Sequence, residues 1–414
     1  MRRANIDPLT GFRFVAAMMV FISHYAIPGL TGTPLRMTQS GYSGVTLFFV
    51  LSGFIIAYSY LDQFERERSV AAIRDFLVAR FARIYPLYFF FILFGYVISG
   101  ADSAPWAHLL AVQTWSPDSD LAFSVNGPSW SIGVEVFFYL VFPLLIPVLT
   151  RLGVLASLRR LQLAAAVVAL AMVAAAAWFS WKGLNDLPFE DPASAYRWLW
   201  RTPVMRMGDF LLGILAAVYY MRFARMDAAS VRRWGHVTLG CVVFLLLLLA
   251  ARKNFRSAFS WDVAYALPGV LLIVGLAINR TTWASRLLAS APLLLLGEAS
   301  YALYLAHVPA KPMLPSIPLG GTGHQLAVYG LFVAWVIAFS IGLHIALEKP
   351  ARKWIRGRFS SGVKVPAPNL APAPEQQVMA PDGPSPRPFA SPIRARFWPA
   401  SRARARPRRW PSSK

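Results

Sequence analysis

A chain of 414 residues could form two or three soluble domains, but 57% hydrophobic and 14% charged residues with a mean hydropathy of +0.49 exclude that class and point to a membrane. The formal net charge of +22 does not signal nucleic-acid binding, because 10 of the 41 basic residues follow residue 360 and most others fall between apolar runs, where topology accounts for them. The single Cys241 lies in the apolar run CVVFLLLLLA, which excludes an intramolecular disulfide and reads as packing.

Crossing a hydrocarbon core of about 30 Å takes roughly 20 largely apolar residues. Residues 1–11 are too short and polar for a cleavable signal, so the first stretch, 12–30, is expected to be a retained span. Further spans follow near 42–60, 84–99, 131–150, 161–181, 205–222, 234–251, 262–279, 292–311 and 324–347. The fold class expected is therefore all-α, a polytopic transmembrane helical bundle of about ten spans. With the N-terminus inside, the connections 61–83, 151–160, 222–233 and 280–291 hold five, three, four and two basic residues, against about seven in all the opposite ones. Both termini are accordingly expected in the cytoplasm. After about residue 360 the composition turns to Pro, Ala, Ser and Arg, so 361–414 is read as a disordered tail able to touch anionic lipid, and 1–360 as the membrane domain.

Ionisable side chains within spans are costly and therefore candidates for function. Arg13 and His24 come first: eleven residues return to nearly the same helix face and separate the two by roughly 16 Å along the axis. Arg13 is expected at the cytoplasmic mouth and His24 in the outer half. The second span, GYSGVTLFFVLSGF, carries Gly41, Gly44, Gly53, Ser43 and Ser52, a small-residue face that lets helices approach closely or leaves room for a substrate, close packing being the favoured reading. Arg80 and Arg83, one turn apart just before the third span, sit near the expected depth of Arg13. Three guanidiniums there suit a phosphate-bearing donor, although positive-inside charge alone explains Arg80 and Arg83 equally well.

The fourth span opens PSWSIGVEVFFY, which places Glu135 about 6 Å below the outer surface, near the expected depth of His24, where a carboxylate would fix the tautomer of a general base. In the sixth span, RMGDFLLG puts Arg206 and Asp209 on adjacent turns, to pair with each other or bind a ligand. The ninth, GEASYALYLAHVP, brings Tyr301, Tyr304 and His307 toward the outer half. The six histidines are scattered without a paired ligand spacing and no HExxH or CxxC pattern occurs, so no metal is expected. No GxSxG elbow supports a serine nucleophile.

Together these segments resemble the membrane-bound acyltransferase-3 family, over about residues 8–356. The resemblance rests on Arg13-x10-His24 after LTG, the GVTLFFVLSGF stretch, the RFAR box of Arg80 and Arg83, the WSIGVE box of Trp130, Ser131 and Glu135, then RMGDFLLG, SYALYLAHVP, and EKP at Glu348–Pro350. It implies a ten-helix core in the bacterial inner membrane that moves an acyl group, usually acetyl, from cytoplasmic acyl-CoA to a hydroxyl of a glycan or lipid-linked sugar. By position it implies a catalytic His24, an essential Arg13 beside the donor path, and Arg80 with Arg83 on the donor. Glu135 joins His24 as the pairing carboxylate, with Trp130, Ser131, Arg206, Asp209, Tyr301 and His307 in support. Where relatives often have a second acidic residue, Val136 stands, leaving Glu135 alone. Some relatives add a C-terminal hydrolase-like domain, whereas only the tail is expected here. No bound cofactor is expected, and the partners are the donor, the acceptor and membrane lipid. The competing reading from the buried charges is a transporter or flippase without acyl transfer, against which no internal symmetry is visible.

Overall fold

A backbone in hydrocarbon must satisfy its own N–H and C=O groups, and a chain this apolar does so with helices. The computed structural model describes residues 5–67, 69–99, 104–251, 257–310 and 321–360, and among them no strand occurs. The expected tail, 361–414, lies outside the described residues.

The α-helices, in order, are α1 (Asp7–His24), α2 (Gly32–Gln39), α3 (Gly44–Arg66), α4 (Val70–Ser99), α5 (Pro105–Leu109), α6 (Ser119–Phe123), α7 (Trp130–Arg151) and α8 (Leu158–Trp181). There follow α9 (Pro203–Arg222), α10 (Ala228–Ala251), α11 (Val263–Ile278), α12 (Trp283–Leu288), α13 (Ala291–Ala310), α14 (Thr322–Leu343) and α15 (Lys349–Phe359). A π-helical turn, His344–Glu348, joins α14 to α15, and a second covers Tyr196–Arg201.

Eight helical stretches among the described residues are long and apolar enough to cross a bilayer: Gly32–Arg66, Val70–Ile98, Gly127–Arg151, Leu158–Trp181, Pro203–Arg222, Ala228–Ala251, Ala291–Ala310 and Thr322–Phe359. The two remaining expected stretches are helical as well. α1 has 18 residues and carries Asp7, Arg13 and His24, while α11 is a shorter apolar helix of 16 residues. Both are packed into the bundle, α1 against α3 and α13, α11 against α3, α9 and α10. α3 and α9 form the centre and are mostly buried, and α8, α10 and α14 form the rim, with few residues buried. The rim helices turn Leu163, Val167, Leu170, Leu239, Phe244, Leu247 and Leu331 outward, as a face toward lipid requires.

Close approach at the centre depends on glycine. A Cβ on Gly213 of α9 would lie 2.1 Å from the Val50 carbonyl oxygen of α3, and one on Gly53 of α3 would lie 2.1 Å from the Phe210 carbonyl oxygen of α9. Gly41 and Gly44 meet the α1 backbone in the same way. The small-residue face expected on the second span thus serves close packing on two sides.

Three features depart from the sequence reading. The third span is a 30-residue helix that takes Arg80 and Arg83 inside it, with Pro86 within, instead of starting after them. The connection before α7 is folded into short helices, with Asn126 donating to the Leu305 carbonyl and Gln113 to Ser129. The first turns of α7 therefore begin under cover, with Gly127 preceding a fully buried Ser129 and Trp130–Val134 buried.

Candidate active site

One face of each of five helices encloses a cavity of about 120 Å³. α7 contributes Ser131, Glu135 and Tyr139, spaced four residues apart so that they stack along one side of the helix. α3 contributes Phe48, Phe49, Ser52, Ile55 and Ile56, and α4 contributes Arg80, Arg83 and Ile84. α1 adds Arg13, and α13 adds Ser300, Tyr301 and Tyr304. A second cavity of about 300 Å³, between α8, α9 and α11, is lined by Val, Ala, Leu, Met and Gly with Asp262 at its edge. The convergence of charge singles out the first.

Its guanidiniums are held in different ways. Arg80 lies over the rings of Tyr60 (5.3 Å), Tyr139 (5.9 Å) and Phe76 (6.0 Å) and donates to the Tyr60 hydroxyl at 3.4 Å. Arg83 is ion-paired with Glu348 and stands 5.8 Å from the centre of the Tyr301 ring. Glu348, fully buried, also takes Nδ1 of His344 at 2.8 Å, and Nε2 of His344 faces Glu298, which pairs with Lys349 at 3.0 Å. Glu135 accepts from the Tyr139 hydroxyl at 3.1 Å and lies in the fields of Arg13 and Arg83. Arg13 has no ion-pair partner among the described residues, and Glu135 is its strongest electrostatic neighbour. The expected basic cluster of Arg13, Arg80 and Arg83 is thus assembled, and Glu135 belongs to it.

That placement corrects the expected pairing of Glu135 with His24. Depth counted from a helix start measures distance from the bilayer surface only when the helix starts there, and α7 starts beneath the folded connection. His24, the last residue of α1 and exposed, meets His307 instead: its Nδ1 is 3.4 Å from Nε2 of His307, with ring centroids 4.9 Å apart. Backbone carbonyls decide the tautomers. Nδ1 of His24 is 2.9 Å from the Val20 oxygen and Nδ1 of His307 is 2.7 Å from the Tyr304 oxygen. A carbonyl only accepts, so both rings carry hydrogen on Nδ1. Nε2 of His307 then accepts the longer branch of the Nδ1–H that His24 shares with the Val20 carbonyl, and Nε2 of His24 carries a lone pair. Tyr25, just beyond α1, donates to the His307 carbonyl at 2.7 Å.

The cavity and the histidine pair adjoin. Tyr304 lines the cavity, accepts from Ser131 Oγ at 2.9 Å, and holds His307 through its carbonyl. Tyr301 also lines it and donates to the Ile84 carbonyl at 2.8 Å. Trp130 lies behind the wall against Phe49 and Trp200.

Arg206 and Asp209 are paired at 2.8 Å, but away from the cavity and with a third member that the sequence reading missed, Asp262, 2.6 Å from Arg206 Nη1. Thr46 accepts from Arg206 at 2.8 Å, and Phe49 and Trp200 flank the guanidinium. This fully buried cluster ties α9 to α3 and to the start of α11. Also missed were Tyr139, His344 and Glu298, while Ser52, read from sequence as part of a packing face, lines the cavity. The four-residue spacings Glu135–Tyr139 and His344–Glu348 were the available signal. Among the described residues no group of three or more His, Cys, Asp or Glu side chains is placed to hold a metal ion.

This chain belongs to the acyltransferase-3 family, whose acyltransferase domain matches residues 6–347. It is 32% identical over 337 residues to the acyltransferase MdmB of Streptomyces mycarofaciens, covering 74% of this chain and 79% of that protein. It is 23% identical over 370 residues to a putative O-acetyltransferase of Staphylococcus aureus strain COL, covering 84% of this chain and 57% of that one. With the peptidoglycan O-acetyltransferase OatA of Listeria monocytogenes it shares 24% identity over 330 residues, covering 74% and 49%. The chain thus spans about half the length of the staphylococcal and listerial relatives. No solved structure matches it. The protein is a multi-pass membrane acyltransferase, and nothing in these likenesses favours the transporter reading.

Proposed function

We propose that the protein moves an acyl group, acetyl in the first instance, from acyl-CoA on the cytoplasmic side of the bacterial inner membrane to a hydroxyl of an exopolysaccharide, O-antigen or lipid-linked sugar at the opposite face. The observation that carries this reading is α1. It sets Arg13 in a cationic cavity and, roughly 16 Å along the same axis, ends in a histidine whose Nε2 carries a lone pair. A thioester carried on a long arm from a phosphorylated nucleotide has the same two-ended form. Both termini then lie in the cytoplasm, as the distribution of Lys and Arg supports, and the Arg-rich tail faces anionic lipid.

In this reading His24 Nε2 takes the proton of the acceptor hydroxyl as the oxygen attacks the thioester carbonyl. The C–S bond breaks, CoA leaves as the thiolate, and the proton held on His24 is given up to it, which restores the neutral ring. His307 Nε2 accepts from the Nδ1–H of His24 as that ring becomes cationic, the role expected of Glu135 from sequence. Arg13, Arg80 and Arg83 hold donor phosphates, and Glu135 orients Arg13. The O-acetyltransferase names of two relatives agree with a hydroxyl acceptor, and that of OatA with a glycan.

The test uses purified protein and radiolabelled acetyl-CoA, with a comparison of O-acyl groups on the surface glycans of a deletion strain and its parent. Label transfer that disappears in His24→Ala is expected. Equal turnover in that variant removes His24 from the reaction, and absence of any reaction with acyl-CoA removes the donor.

A further inference from the structure

The cavity holds more positive charge than the mechanism has used. Arg13, Arg80 and Arg83 line it, and Arg83 takes its counter-charge from Glu348. One helical turn beyond Glu348, at i+4, stands Arg352 on α15, a helix that packs along α4, the helix of Arg80 and Arg83. Arg352 does not itself line the cavity; it is half-buried, has no carboxylate within ion-pair distance among the described residues, and is near enough for its charge to act on Arg13 and Arg83. Lys353, Arg356 and Arg358 of the same helix are exposed, and Lys349, half-buried like Arg352, is already paired with Glu298, so Arg352 is the half-buried cation of α15 without a carboxylate among the described residues. With Arg352 counted beside the three guanidiniums that line the cavity, four cations stand near two carboxylates, Glu135 and Glu348, since Glu298 is matched by Lys349. Two positive charges are then not matched by a carboxylate, at a partly enclosed site where a dianionic ligand gains more than in open water.

We propose that Arg352 is a donor-binding residue which holds a phosphate group of the acyl donor at the mouth of the cavity, completing a site whose inner cation is Arg13. The proposal rests on the acyl-CoA reading above and adds to it a residue outside the RFAR box. It also assigns α15 a part in binding, through the same π-helical turn that delivers Glu348 to Arg83.

The experiment is isothermal titration of acetyl-CoA into the detergent-purified full chain, with gel filtration to verify folding. Arg352→Ala is expected to weaken binding about tenfold, the lower end for a lost charge-assisted contact at a half-buried site. Arg352→Lys recovers most of the loss, and Arg352→Glu binds more weakly than the Ala variant. Lys353→Ala, one residue away and exposed, binds like the wild type. If wild type binds acetyl-CoA and Arg352→Ala binds it within twofold, the assignment is overturned while the donor reading stands. Equal losses in Arg352→Ala and Lys353→Ala also overturn it, since they indicate only the general surface potential of α15. So does loss of co-purified anionic phospholipid with donor binding unchanged, which places a lipid headgroup there. A wild-type protein that binds no acetyl-CoA overturns the donor reading, and this inference with it.

Discussion

The crossing of α3 and α9 offers a perturbation whose size follows from the geometry. In Gly213→Ala the new methyl would lie 2.1 Å from the Val50 oxygen, 2.9 Å from the Phe54 nitrogen and 3.0 Å from the Val50 carbon, all backbone atoms that cannot swing aside as a side chain can. Ordinary contact requires more than about 3.4 Å, so the helices must part by roughly 1 Å, and overpacking of this kind costs about 1–3 kcal/mol. Against this, alanine gains up to about 1 kcal/mol over glycine in helix propensity. The proper reference is Gly240→Ala on α10, where nothing lies within 4 Å of the added methyl, so only the propensity gain acts. Thermal unfolding in one detergent should place Gly213→Ala below wild type and Gly240→Ala at or slightly above it; since both share the propensity gain, the overpacking cost separates them by about 2–12 °C at roughly 2–4 °C per kcal/mol. Because α3 also carries Ser52 of the cavity and Thr46 beneath Arg206, turnover of Gly213→Ala should fall as well. Equal melting temperatures for the two variants would refute the close-packing argument.

Two further outcomes follow. His307→Ala should lower kcat about tenfold with the donor KM unchanged, since the lost acceptor sits at 3.4 Å, while His307→Gln keeps part of the activity through its amide oxygen; steady-state kinetics at several donor concentrations separates the two constants. Arg206→Met should destabilise the protein by about 3–5 kcal/mol because Asp209 and Asp262 are left buried without a cation, whereas Asp209→Asn, which leaves the Arg206–Asp262 pair, should cost clearly less; a reversed order in thermal unfolding would show that Asp209 is the principal partner.

Periodicity and apolar length made the helices legible: all ten expected stretches are helical, with ends mostly within a few residues. The cationic cluster was legible too, because Arg13, Arg80 and Arg83 are costly wherever they lie near hydrocarbon. What could not be read was depth at α7. Glu135 was placed by counting from a helix start assumed to lie at the surface, and only the folded connection, through Asn126 and Gln113, shows that the start is covered. Partners distant in sequence were equally hidden. Asp262 lies 56 residues after Arg206 and Glu348 lies 265 after Arg83, and no local spacing joins either pair. His307 was named from its motif, yet its relation to His24 depends on how α1 and α13 pack.

The π-helical turn at His344–Glu348 works as a rotational setting. A π turn holds one residue more than an α turn, so everything after it is advanced by about 100° relative to an uninterrupted helix. That offset lets α14 keep its apolar face to lipid while α15 packs along α4 with Arg352 half-buried and Lys353, Arg356 and Arg358 exposed. Loss of one residue from this turn would leave the composition of α15 untouched but rotate its inward face away from the cavity. In this helix, register relative to the bundle matters as much as residue identity, and comparisons of such proteins near the EKP segment are best aligned by the turn and not by residue count.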